Sequence, residues 1–338
     1  MSLTIDDIAK ASGVSTATVS RVINKNYPVS KKTRKRVESA VARLGYTPNV
    51  FARGLMKART DSVGILVPFI SNPYHTQIVN AVENHLSRNN IFIYLCCSYD
   101  DPEREREYVQ RLIDRNVDAL IVVEGHTMNT PHNAYMDLNP RQPIIMVNEH
   151  IATDVRHNIV RCAQEPGLMQ AFEHLLETRN RGIALLRGAG FSFDLKERLF
   201  KRFRKNNGLD PERNPIYRIH RANEPRAVHE AADLILKLLR KSKAPRAVLA
   251  GNDLIAIGVL QGALAAGARV PQDLAIIGVD NTLISEISSP RLSTVDLKME
   301  EVGRGTAKAY LELREHGFKM TDPIRTTIKS QFIHRETS

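Results

Sequence analysis

The sequence predicts a small all-α module followed by an α/β body of two doubly wound parallel-sheet lobes. Three observations predict it. Residues 1–46 carry three short amphipathic stretches punctuated by Gly13 and Gly45. From Asp61 onward, apolar runs alternate with amphipathic stretches at βα spacing. Residues 61–338 are also too many for one such sheet, which makes two lobes the expected solution.

The first module is justified residue by residue. Thr4 is placed to cap Ile5 to Ala11, with Asp6 and Asp7 in the first turn where the helix dipole favours acids. Ser12-Gly13-Val14 makes a tight turn, and Ser15 caps Thr16 to Asn24. Ser30 caps Lys31 to Leu44, which ends at Gly45. Ile8, Val14, Val19, Val22, Ile23, Val37, Val41 and Leu44 supply a shared apolar core. The second helix then exposes Thr16, Ala17, Ser20 and Arg21, small at the front with one long bidentate donor behind. Such a helix enters a DNA major groove while Arg21 reaches guanine O6 and N7.

Charge supports that reading. The chain has 338 residues and a net charge of +11. Residues 1–60 hold twelve Lys/Arg against three acids, so nearly all the excess sits in the first sixth. A compact basic module beside a near-neutral body points to phosphate contact, whereas a solvated basic tail is the ordinary alternative. No apolar run reaches the length of a membrane span, and the N-terminus lacks the pattern of a secretory signal. Cys96, Cys97 and Cys162 form neither a CxxC pair nor a disulfide framework, so the expected compartment is cytoplasmic.

In the body, strands are expected at Ser62–Pro68, Ile91–Cys97, Ala119–Glu124, Ile144–Asn148, Gly182–Arg187, Ala247–Gly251, Leu274–Val279 and Thr294–Leu297. Helices are expected at Tyr74–Arg88, Pro102–Asn116, Gly167–Glu177, Ala227–Arg240 and Leu254–Ala266. Ligands of such domains bind at the carboxyl ends of strands, in a cleft between lobes.

The strings Thr4-Ile5-Asp6-Asp7-Ile8-Ala9, Gly13-Val14-Ser15, Thr18-Val19-Ser20-Arg21-Val22-Ile23-Asn24 and Leu44-Gly45-Tyr46-Thr47-Pro48-Asn49 closely resemble the headpiece of the lactose/galactose-repressor (LacI/GalR) family. The likeness runs without gaps through Leu55. It implies that Thr16, Ala17 and Arg21 read bases, and that Thr4, Ser15, Ser20, Asn24, Ser30, Thr33 and Asn49 touch the DNA backbone. It implies a hinge helix after Pro48 in which Leu55, flanked by Arg53, wedges into the minor groove. Gly54 makes that helix harder to form, by about 1 kcal/mol.

The body resembles the same family more weakly, in Ser62-Val63-Gly64-Ile65-Leu66-Val67-Pro68 with Asn72-Pro73-Tyr74, in Ala250-Gly251-Asn252-Asp253, and in Ile276-Ile277-Gly278-Val279-Asp280-Asn281. The resemblance implies a periplasmic-binding-protein-like fold. Its domains are expected at 1–46 (headpiece), 47–60 (hinge and linker) and 61–338. Within the last, the N-lobe is expected at about 61–160 and 291–320, and the C-lobe at about 161–290 and 321–338. Tyr74, Arg198, Asn252 and Asp280 match effector positions, the lesser alternative for Asn252 being a cap on the following helix. Ala163-Gln164, Arg179-Asn180 and Lys201 depart from the family pattern. Residues 196–221 carry nine basic side chains against three acids. That run implies either an anionic ligand or, more commonly, a solvated basic face.

No catalytic pattern survives inspection. Gly188-Ala189-Gly190 lacks the third glycine of a dinucleotide fingerprint, and His126, His132, His150 and His157 lack metal spacing. No cofactor is expected. The expectation is a non-enzymatic, sequence-specific transcription regulator, a repressor. It would bind a pseudo-palindromic operator on double-stranded DNA as a homodimer, with affinity set by a sugar-like small molecule in the cleft. The alternatives are a DNA-binding regulator controlled by a protein partner or constitutive, with a degenerate pocket, and a solute-binding protein or enzyme with a vestigial headpiece.

Overall fold

The computed structural model describes residues 3–24, 27–46, 59–124, 141–148, 157–179, 182–241, 243–320 and 322–338. The expectations at Asn49, Arg53, Gly54, Leu55, His126, His132, His150 and Asn180 lie outside them, as do the side chains of Asn24 and Arg179. Contacts divide the chain into two units, Met1–Thr60 and Asp61–Ser338.

In the first unit, α1 (Ile5–Ser12), α2 (Thr16–Asn24) and α3 (Lys31–Leu44) surround Ile8, Ala9, Val19, Val22, Val37 and Ala40. The caps are local chemistry. The Asp7 amide donates to Thr4 Oγ1 at 3.4 Å, and the Asp7 carboxylate accepts from the Thr4 amide at 2.9 Å, a reciprocal closure of the α1 N-terminus. Hydrogen bonds from Thr4 hold the Asp7 carboxyl below its ordinary value. The Thr18 amide donates to Ser15 Oγ, and the Thr33 amide to Ser30 Oγ. Gly13 and Gly45 end α1 and α3 at φ 62° and 64°, where only glycine enters without strain.

The second unit contains two six-stranded sheets. Its elements in chain order are β1 (Ser62–Val67), α4 (Pro73–Leu86), β2 (Phe92–Cys97), α5 (Pro102–Asp114), β3 (Ala119–Val123), β4 (Ile144–Val147), β5 (Asn158–Ala163) and α6 (Glu165–Arg179). They continue with β6 (Ile183–Arg187), α7 (Phe191–Asn206), β7 (Ile216–Arg218), α8 (Ala227–Leu239), β8 (Ala247–Ala250), α9 (Asp253–Ala265), β9 (Ala275–Asp280) and α10 (Leu283–Ile287). The last are β10 (Ser293–Asp296), α11 (Met299–Glu315), β11 (Arg325–Lys329) and β12 (Gln331–Ile333).

The first sheet has the order β11-β5-β4-β3-β1-β2, with every ladder parallel. The second has the order β12-β10-β9-β8-β6-β7, and only β12 runs antiparallel. Central strands β1, β3, β8 and β9 are buried throughout, which is why they read as continuous apolar runs. Helices α4 and α11 pack closely on one another. A Cβ at Gly303 would lie 2.6 Å from Ala81 Cβ and 2.7 Å from the Ile78 carbonyl oxygen.

The lobe boundaries differ from the expected ones. β10 pairs with β9 from Ser293↔Ile277 to Asp296↔Asp280, so residues 291–297 belong to the second lobe and not to the N-lobe. β11 pairs with β5 and returns 325–329 to the first lobe. The chain therefore crosses between lobes at 163–165, 296–298 and 329–331. Sequence spacing located these crossings only approximately, because strand identity depends on which sheet supplies the ladder. The crossings converge on Gly167, where an added Cβ would stand 2.7 Å from Val295 Cγ1, 2.9 Å from Ser330 Oγ and 3.0 Å from the Gln331 carbonyl carbon. Ser330 Oγ donates to the Ala163 carbonyl at 2.8 Å and accepts from the Gly167 amide at 3.0 Å.

Candidate functional site

Two sites take shape, one in each unit. On the first, Thr16, Ala17 and Arg21 lie exposed on α2, and Ser20 is half-buried. The Arg21 guanidinium stands 5.7 Å from the centroid of the exposed Tyr27 ring. Thr4, Ser15, Ser30 and Thr33 sit at helix N-termini, where the Thr4, Ser15 and Ser30 hydroxyls accept from the Asp7, Thr18 and Thr33 amides.

On the second, the strand carboxyl ends of the two lobes enclose a cavity of about 250 Å³. From the first lobe come Tyr74, at the start of α4, Glu124 just after β3, and Asn148 just after β4. From the second come Lys196 on α7, Asn252 after β8 and Asp280 at the end of β9. Glu124, Asn148 and Asp280 take positive φ values of 50°, 56° and 116°. Backbone strain of this kind at strand ends aims side chains into a site.

The first-lobe wall is a connected network. Asn148 Nδ2 donates to the Tyr74 hydroxyl at 2.7 Å, which donates to Glu124 Oε1 at 2.7 Å. Asn148 Oδ1 is held by the Cys162 amide at 2.7 Å. His75 Nδ1 lies 2.8 Å from the Phe69 carbonyl oxygen, which only accepts, so Nδ1 carries a proton. Its Nε2 stands 3.5 Å from Glu124 Oε2. Burial pushes the Glu124 carboxyl up, but His75, Tyr74 and Lys196 together bring it below its ordinary value. Burial and the Glu124 charge raise the Tyr74 phenol well above its own.

The second-lobe wall is less complete. Asp280 is buried, and among the described residues its carboxylate receives no hydrogen bond. Burial, Asp253 and Glu124 push it well above the ordinary carboxylate range, against the pull of Lys196. Behind it, Asp253 accepts from the Thr282 amide at 2.7 Å, the Thr282 hydroxyl at 2.9 Å and the Thr294 hydroxyl at 2.7 Å. Burial pushes Asp253 up to about 6 despite those donors. Lys196 Nζ donates to Ser192 Oγ at 2.8 Å and lies 5.0 Å from the Phe193 ring centroid. Burial lowers its ammonium, while Asp280 and Glu124 oppose the change. The face of α7 is set by buried Arg187, whose guanidinium pairs with Asp194 at 2.6 Å and with Glu197.

The structure brings Tyr74, Asn252 and Asp280 to the cavity, but not Arg198. Arg198 is exposed and stacks 5.4 Å from the Phe191 ring centroid, on the opposite side of α7 from Lys196. The helical stripe of buried Phe193, Lys196, Leu199, Phe200 and Phe203 carried the signal that would have located Lys196. The basic run of 196–221 likewise faces solvent at Arg198, Lys201, Arg202 and Lys205, so a solvated face accounts for it. Asn252 caps α9, accepting from the Ile255 amide at 2.9 Å and donating to the Ala222 carbonyl at 2.8 Å. Gln164 donates to Ser192 Oγ at 3.1 Å, and Lys201 pairs with Glu197 on the surface. Glu124 and Asn148 escaped sequence reasoning, although polar residues directly after buried strands mark such positions.

Residues 4–49 match the model for bacterial regulatory proteins of the lacI family, and residues 172–338 match a periplasmic binding protein-like domain. The HTH-type transcriptional regulator DegA of Bacillus subtilis is 33% identical over 306 residues, covering 90% of this chain and 89% of that protein. The chain belongs to the lacI family of regulators. The HTH-type transcriptional repressor PurR of Aliivibrio fischeri (strain MJ11) is 31% identical, covering 91% of each chain. Among solved structures, the lac repressor dimer bound to operator and the anti-inducer ONPF superposes with a TM-score of 0.83, at 23% identity and over 100% of this chain and 99% of that one. At that identity the likeness is one of fold. As a lacI-family member, the protein is a DNA-binding transcription regulator. No helix among the described residues is long and apolar enough to cross a membrane.

Proposed function

We propose that α2 reads operator bases through Thr16, Ala17 and Arg21, and that the cleft binds an uncharged, polyhydroxylated small molecule whose occupancy sets DNA affinity. The observation that carries the ligand class is the pairing of two incompletely partnered buried groups on one wall. Asp280 needs donors and Lys196 Nζ has hydrogens to give. A hydroxyl both donates and accepts, so one sugar-like ligand satisfies both without bringing a charge into the cavity. Solved regulators of this fold hold cellobiose, ribose and D-xylulofuranose.

The protein works in the cytoplasm as a homodimer and performs no catalysis in this reading. Exposed Leu283 and Ile287, one turn apart on α10, and Phe92 on edge strand β2 offer apolar surface to a second copy. The test is operator affinity, on a duplex selected from random sequence, with and without a panel of neutral sugars, sugar acids and amino sugars. A neutral sugar that changes affinity tenfold, about 1.4 kcal/mol of coupling, supports the reading and fixes its sign. Tight binding that no ligand alters leaves a regulator controlled by a partner or constitutive.

A further inference from the structure

The first unit carries a second charged surface that α2 does not share. Lys10, at the end of α1, and Lys32, Lys35, Arg36 and Arg43 of α3 line one open groove. No carboxylate lines it, and among the described residues none of these five cations forms an ion pair. All five are exposed. The α3 members recur at i, i+3, i+4 and i+11, a stripe along one face that spans roughly 16 Å at the rise of an α-helix. That length exceeds a single phosphate and suits a backbone carrying about one charge per 1.7 Å of duplex.

The rest of the lining is small, with Ala11, Ser12, Gly13, Ser39 and Ala40. A protein partner would need aromatic or large aliphatic anchors, which this groove does not offer. No residue of α2 lines the groove, so it is a surface distinct from the one that carries Thr16, Ala17 and Arg21.

We propose that the α1–α3 groove is a second nucleic-acid site, which holds the phosphate backbone of a DNA duplex other than the one whose bases α2 reads. The regulator then bridges two duplexes through one headpiece, with sequence read on one side and charge alone on the other. This rests on the assignment of α2 as the base-reading face, and the experiment separates the two. Full-length protein saturated on an immobilised selected operator is offered a fluorescent duplex of unrelated sequence. The variants are Lys35→Glu/Arg43→Glu and Arg21→Ala, with helicity checked by circular dichroism.

The wild type retains the second duplex, and Lys35→Glu/Arg43→Glu retains at least tenfold less. Operator affinity in that variant changes less than threefold at about 0.2 M salt, where charges beyond a Debye length are screened. Failure of the wild type to retain a second duplex overturns the proposal, as does retention that survives charge reversal. A fall in operator affinity that tracks the loss of retention also overturns it, by placing the groove on the first duplex. Arg21→Ala with undiminished operator preference refutes the assignment of α2 instead, and is scored on the operator alone.

Discussion

The Tyr74 hydroxyl donates to Glu124 Oε1 at 2.7 Å, across the two elements that begin the cleft's first-lobe wall. The same oxygen accepts from Asn148, so one phenol fixes two polar side chains that follow different strands. Removing it leaves a buried amide and a half-buried carboxylate each short of a partner.

Tyr74→Phe should therefore cost about 1–3 kcal/mol in urea unfolding at neutral pH. Its pH dependence carries a sign. Glu124 is held below its ordinary value of 4.5, so its contribution is complete above that value and is lost as pH falls below it. With the phenol gone, Glu124 is depressed less and has less stability to lose on acidification, so the gap between variant and wild type should narrow as pH falls below 4.5. A gap that stays constant with pH would mean that Tyr74 does not support the Glu124 charge.

Lys196→Met keeps the buried stem and removes the ammonium. Effector-dependent change in operator affinity should fall at least tenfold, whereas Arg198→Ala should alter it less than twofold. The two variants compared on one titration decide which cation serves the cleft. The opposite ranking would restore Arg198.

Asp253 titrates at about 6 in the folded chain against 3.8 ordinarily, so the native state holds the extra proton between those values. The stability it contributes therefore falls as pH rises from 3.8 to about 6, and is level above. Asp253→Asn should unfold more easily, and the gap from the wild type should narrow as pH rises through that window. A gap that widens instead would show that the donors from Thr282 and Thr294 outweigh burial.

Arg21→Ala should cost about 1–3 kcal/mol on the selected operator and relax preference at one base pair. Equal weakening on every sequence, read from a competition against a base-substituted library, would make Arg21 a phosphate contact.

The first unit was legible in the sequence because its structure is local. Thr4, Ser15, Ser30, Gly13 and Gly45 each act within four residues of themselves. Strands β8 and β9 were legible because burial on both faces makes them uniformly apolar. β5 and β11 were not, since both alternate and carry Arg161, Arg325 and Lys329. α11 was hidden by Gly303 and Gly305, residues that weaken a helical signal, and Gly303 is required by the close approach of α4. The cleft was half legible. Tyr74, Asn252 and Asp280 stand in strings of recognisable family type, whereas Glu124 and Asn148 acquire meaning only when β3 and β4 lie side by side.

Gly167 lets three separate passages of chain meet within the width of a methyl group. A single methyl at that point, as in Gly167→Ala, has no room unless Val295, Ser330 or the backbone at Gln331 gives way. The absence of a side chain at one helical position is thus a condition for the crossings to lie as close together as they do.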